Sequence, residues 1–147
     1  MKPDPFALAF DAARAAAAAQ EVPVGAVILR DGAVIATGAN RTLRDKDPTA
    51  HAEMIAIRKA CRALGSERLP DCDLYVTLEP CAMCAAAISF ARIRRLYFSA
   101  DDPKGGAVEH GPRFFSQPTC HHAPEIYGGI RESEAAAMLR EFFQSRR

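Results

Sequence analysis

Asp31-Gly32 separates two apolar, β-branched runs, VPVGAVILR at 22–30 and AVIATGAN at 33–40. A two-residue Asp-Gly between such runs is the strongest short-range hairpin signal, since the tight turn it forms needs positive φ. The rest of the chain must therefore build onto an early antiparallel pair. Ahead of it, alanine-dominated residues 5–20, with Phe6, Leu8 and Phe10 as apolar contacts, predict a helix. After it come a polar loop (41–50) and a helical stretch from His51 to about Leu64. DLYVTLE (73–79) reads as a strand, and Pro80 then opens the helix CAMCAAAISFAR, proline being well tolerated at a first helical position. RRLYFSA (94–100) is a further strand. A long Gly/Pro-marked loop (101–124), a short strand within EIYGG and a last helix near 132–144 complete the chain. Right-handed crossovers make the strands at 73–79 and 94–100 parallel. This order predicts an α/β layered domain with a mixed sheet. No linker or long repeat interrupts it, so residues 1–147 are expected to form one domain.

Charge narrows the function classes only a little. Nineteen basic against eighteen acidic residues give a formal net charge of +1, which is not the balance of a bulk nucleic-acid binder. Any nucleic-acid contact has to be a local patch. No apolar stretch reaches the roughly 18–20 residues of a membrane span, and the alanine-rich N-terminus is interrupted by Asp4, Asp11 and Arg14. Five cysteines (61, 72, 81, 84 and 120) are an odd count without the look of a disulfide framework. A reducing, cytoplasmic setting is expected, where a CxxC serves metal binding or catalysis rather than a structural bridge.

The one CxxC is Pro80-Cys81-Ala82-Met83-Cys84. At the start of a helix, residues 81 and 84 lie one turn apart on one face, so both sulfurs can reach a single ion. The helix N-terminus also favours thiolate. Two thiolates do not complete a zinc site: a structural zinc takes four protein ligands, a catalytic one usually three and a water. Among the histidines (51, 110, 121, 122), His51 stands at a second helix start, in TAHAEMIAIR, with Glu53 two residues on. In mid-helix that spacing points two side chains to nearly opposite faces, whereas residues of a first turn can converge on a point beyond the helix end. Two helix N-termini can thus face one metal, with Glu53 beside it. Taken alone, His-x-Glu is a common tripeptide and Glu53 a favourable first-turn acid. A redox pair is a weaker reading, because thioredoxin-like motifs carry Pro or Gly between the cysteines. Cys61 and Cys72 read as ordinary thiols, and TCHH (119–122) as surface residues without a completing ligand.

His-x-Glu followed by Pro-Cys-x-x-Cys is the zinc nucleobase-deaminase signature. The chain resembles the cytidine deaminase-like superfamily and, within it, the bacterial tRNA-specific adenosine deaminases, from EVPVGAVI through GAN, DPTAHAE, LYVTLEPCAMC and ARI to the terminal FFQSRR. The resemblance implies a three-layer α/β/α fold with a mixed sheet of about five strands. It implies one Zn2+ per subunit, held by His51, Cys81 and Cys84, and Glu53 as the catalytic acid/base. Attack of the activated water on adenine C6 would then turn the wobble adenosine of a tRNA anticodon into inosine. Asn40 aligns with a base-recognising asparagine and Val22 with a pocket wall. Asp102 falls on a loop near the sugar-phosphate, and Phe143 on a pocket wall near the C-terminus. Each has a plainer account: a turn residue, a core valine, a turn, a core ring. Arg92, Arg94, Arg95, Lys104, Arg146 and Arg147 are candidate phosphate contacts, each of which could equally be a solvated charge. The resemblance further implies a homodimer whose two subunits both meet the tRNA anticodon stem-loop. Two other readings stay open at this point: the same chemistry on a free nucleobase or nucleoside, and a non-catalytic zinc or redox protein.

Overall fold

The computed structural model describes residues 3–146. Helix α1 (Pro5–Ala18) starts where Asp4 accepts the N–H groups of Phe6 and Ala7 and Pro5 takes the first helical position. Strands β1 (Gly25–Arg30) and β2 (Ala33–Ala39) form the expected hairpin, with Asp31 at φ 51° and Gly32 at φ 80° in the two-residue turn. Helix α2 (Ala52–Leu64), strand β3 (Cys72–Leu78), helix α3 (Ala82–Phe90) and strand β4 (Arg95–Ala100) follow. A short 3-10 turn (Phe114–Ser116) that the sequence did not announce interrupts the long loop. Strand β5 (Glu125–Tyr127) and helix α4 (Glu132–Gln144) close the chain.

The sheet order is β2-β1-β3-β4-β5. β1 is antiparallel to both β2 and β3, while β3, β4 and β5 run parallel, as the crossovers require. Alternation along the strands sorts side chains onto two faces. Ala26, Ile28, Leu74, Val76, Leu96 and Phe98 pack against α2 and α3 in the larger core. Val27, Leu29, Tyr75 and Tyr97 turn the other way, toward α1 and α4. The result is the α/β/α sandwich. Tyr75, Tyr97 and Tyr127 occupy paired positions on adjacent strands and stack at 4.5 and 4.9 Å, which ties the exposed edge strand β5 to the sheet.

One detail of packing positions the site. Gly38 of β2 lies so close to the first turn of α2 that a Cβ there would collide with the carbonyl oxygen of Ala52 and come within 2.9 Å of the Ala56 nitrogen. The missing side chain lets α2 press its N-terminal turn onto the sheet. Gly38→Ala is expected to destabilise the protein by roughly 1–3 kcal/mol through this overlap, read from urea unfolding, with loss of metal retention because the displaced turn carries His51.

Candidate active site

Two helix N-termini meet at the carboxyl end of β3. His51 is the N-cap of α2 and Cys81 the N-cap of α3, both in extended backbone conformation, and neither side chain caps its own helix. The α3 boundary differs from the sequence expectation: Pro80 precedes the N-cap instead of occupying the first helical turn. The backbone leaves β3 at Leu78, and Cys81, two residues beyond Glu79, is itself extended with ψ 176°, so α3 starts only at Ala82. That delay aims the Cys81 sulfur back toward α2. His51 Nδ1 lies 3.6 Å from Cys81 Sγ and 3.6 Å from Cys84 Sγ, and the three donor atoms fall within 4.8 Å of one another.

This donor set fits zinc. Tetrahedral bonds of about 2.3 Å to sulfur and about 2.0–2.1 Å to nitrogen put N and S roughly 3.6 Å apart, the separation seen here. A hydrogen bond from Cys84 is the main reason that Cys81 is held at about 4, against the opposing effect of burial and with help from His51. Cys84, the donor and the more deeply buried, is pushed far up. The hydrogen bond with Cys81 raises His51 in turn. One thiolate is therefore ready for a cation, and a divalent ion supplies the charge that releases the second proton.

Glu53, in the first turn of α2, is 4% exposed. Burial pushes its carboxyl up to about 7, while its own backbone N–H and nearby His51 pull it back. A carboxyl so placed exchanges protons near neutral pH. The expected convergence within the first turn occurs: His51, Glu53 and Cys81 line one cleft of about 240 Å³. Val22 and Asn40 line it as well, whereas Cys84 lies buried behind. Asn40 Oδ1 accepts the N–H of Ala52 at 2.8 Å and its Nδ2 donates to the Val22 carbonyl at 3.1 Å. The amide thus joins the α2 N-terminus to the opposite wall and keeps one hydrogen and one lone pair spare.

Asp102 and Phe143 are not among the residues lining the cleft. Asp102 lies on the loop after β4, where its Oδ1 accepts the N–H groups of Lys104 and Gly105. Phe143 is half exposed on α4 against the ring of Phe142. Four wall residues escaped the sequence reading: Val24, Thr42, Leu78 and Glu79. Glu79 did carry a signal, an acid wedged between an apolar strand and the Pro-Cys pair. Of the candidate phosphate contacts, Arg94 and Arg95 pair with Asp73 and Glu125 at the far ends of β3 and β4 from the cleft. Arg146 bonds Gln20 and covers the Phe142 ring, and Arg147 lies outside the described residues. Cys120 donates to the His122 carbonyl, and His122 Nε2 lies 2.7 Å from the Ile93 carbonyl oxygen, so both are engaged within the fold.

Residues 4–100 match the family model of the cytidine and deoxycytidylate deaminase zinc-binding region. The chain is 66% identical over 140 residues to a tRNA-specific adenosine deaminase of Agrobacterium fabrum, covering 95% of this chain and 92% of that protein. The chain belongs to the tRNA-specific adenosine deaminase family. A relative of the same name in Aquifex aeolicus is 45% identical over 127 residues, 86% of this chain and 83% of that protein. Among solved structures, one from a study of A-to-I editing by tRNA:A34 deaminases superposes with a TM-score of 0.91 at 66% identity, covering 92% of this chain and 98% of that one. A guanine deaminase of Bacillus subtilis shares the architecture less closely, with a TM-score of 0.66 at 33% identity over 98% of this chain and 94% of that one. The family is zinc-binding, and His51, Cys81 and Cys84 are the cluster that could hold one zinc.

The cleft's loop wall depends on a second buried acid. Glu21, 1% exposed, accepts the N–H groups of Leu43 and Arg44 and the Arg44 guanidinium. Burial alone would raise it, but these donors outweigh burial and hold its carboxyl below the usual value of 4.5. Folding then favours the ionised form, so its stabilisation is complete above about pH 4.5 and is lost as pH falls through the lower folded value. Glu21→Gln is expected to cost roughly 1.5–3 kcal/mol at pH 7. The gap to the unaltered protein should narrow when unfolding is repeated as the pH is lowered step by step below 4.5. Replacing Cys84 by Ser should strip the metal: zinc per chain, measured by atomic emission, drops well below that of the unaltered protein, while Cys61→Ser leaves it unchanged.

Proposed function

We propose that this chain is a zinc-dependent hydrolytic deaminase that converts adenosine to inosine at the wobble position of a tRNA anticodon. The observation that carries the chemistry is the buried Glu53 beside the His51, Cys81 and Cys84 donor set in one small cleft. The tRNA substrate is supported by the relatives' activity and by the extent of the likeness. The cleft, at about 240 Å³, is smaller than the roughly 300–1,000 Å³ of sites for drug-sized ligands, which suits a single base with its sugar outside.

His51, Cys81 and Cys84 hold the zinc, which when bound supplies a Lewis acid that makes water acidic. Glu53 relays the water's two protons in turn, one to the purine ring nitrogen and the other to the departing ammonia. Its burial keeps bulk water from competing for them. Asn40 uses its spare donor and acceptor on the purine edge, and Val22 walls the ring. Asp102 and Phe143 lie outside the cleft, and there we assign them to the flanking RNA. A polynucleotide reaching so far across the surface favours a homodimer, each subunit acting as one deaminase unit. No helix among the described residues is long and apolar enough to cross a membrane, which accords with a cytoplasmic enzyme acting on tRNA.

Glu53→Ala is expected to retain zinc and to lose roughly 10²–10⁴-fold in kcat. The substrate is tested by incubating the zinc-loaded protein with an anticodon stem-loop bearing wobble adenosine and, separately, with free bases and nucleosides. Inosine should appear in the stem-loop, and ammonia release from the small molecules alone would overturn the tRNA reading.

A further inference from the structure

Glu79 stands between β3 and Cys81 with its side chain fully buried. Five donors, all from one loop, converge on its carboxylate. Oε1 accepts the N–H of Asp102 at 2.9 Å and meets His110 Nδ1 at 2.8 Å. Oε2 accepts the N–H groups of Val108, Glu109 and His110 at 3.0, 2.9 and 3.2 Å. A carboxylate offers about four lone-pair sites, so none is left for a substrate. Glu79 lines the cleft but takes no part in proton transfer.

The loop has closed tightly round this one charge. A Cβ on Gly106 would sit 2.5 Å from Glu79 Oε2, and the N–H of Ala107 donates to the Pro80 carbonyl at 2.9 Å. His110 Nε2 also faces Asp101 at 3.6 Å, so its ring bridges Glu79 to the start of the loop. An ion buried here without partners would cost several kcal/mol, and the loop's N–H groups are those partners. The shape of residues 102–110 and the buried charge therefore require each other. The same backbone carries Asp102 and the exposed Lys104, and it is joined to the cleft wall through Glu79.

We propose that Glu79, together with His110, is a positioning residue that fixes loop 102–110 against the metal-bearing helix start and so determines how the nucleic acid flanking the target base is held. The role in flanking-strand binding rests on the tRNA reading. The clamp itself rests on the loop geometry.

The test uses the zinc-loaded enzyme with Glu79→Gln, His110→Ala and His110→Asn. Glu79→Gln turns one acceptor into a donor facing N–H groups. It is expected to raise KM for the stem-loop by about tenfold or more, the scale of one charge-assisted hydrogen bond, with a much smaller change in kcat and full zinc content. His110→Ala should shift KM in the same direction, and His110→Asn should restore it, because its amide can donate where Nδ1 does. Should Glu79→Gln fail to fold, the His110 pair carries the measurement. Unchanged KM in His110→Ala, or a parallel fall of kcat and zinc content with no rescue by His110→Asn, overturns the proposal. Hydrogen exchange at the amides of residues 108–110 reads the clamp without any substrate. Protection there should be lost in Glu79→Gln or His110→Ala, and retained protection sinks the clamp even where the tRNA reading stands. Lost protection in an enzyme active only on free bases would leave the clamp standing and overturn the tRNA reading.

Discussion

The 3.6 Å approach of His51 to two cysteine sulfurs depends on two helices starting at the same point in space. α2 reaches that point because Gly38 leaves no Cβ beneath its first turn. α3 reaches it because β3 runs parallel to β4 and must be followed by a crossover helix. Glu79 and Pro80 separate the end of β3 from the extended N-cap Cys81 at which that helix begins. Both N-caps then face inward, and their positive helix ends add to the preference for thiolate. Neither helix start alone offers a site, since each provides an incomplete donor set.

Three buried acids surround this meeting point, and their partners divide their roles. Glu21 and Glu79 are each wrapped by backbone N–H groups of a neighbouring loop, so both are held ionised despite a burial that would raise them. Each shapes one loop bordering the cleft: residues 43–44 for Glu21, residues 102–110 for Glu79. Glu53 has no such loop. With burial the largest influence, it is pushed up to about 7, which leaves its proton mobile. Acids of similar burial thus serve as fixed anchors or as a proton carrier according to how many donors reach them.

Much of the layout could be read from local signals. Asp31-Gly32 specified the hairpin, because few other pairs accept positive φ twice in succession. The β3–α3–β4 unit followed from the handedness of crossovers. His51, Cys81, Cys84 and Glu53 could be singled out together because their spacing and their helix-start positions form a joint pattern that separate motifs lack. The wall residues Val24, Thr42 and Leu78 could not be named, since an apolar strand residue or a loop threonine looks the same whether it faces a cleft or a core. Only the family resemblance set Asp102 near the substrate, and its link to the cleft wall runs through Glu79, a partner 23 residues away in the chain.

The sequence by itself determined the elements, the donor types and the deaminase chemistry, because those depend on residue identity and on short spacings. Tertiary structure alone decided which acids are mobile in their protons and which are locked. That depends on donors arriving from 22 to 31 residues along the chain, as with Leu43 on Glu21 and His110 on Glu79. Desolvation and hydrogen bonding act over a few ångströms of space, and short-range sequence pattern carries no record of which distant N–H groups will fill it.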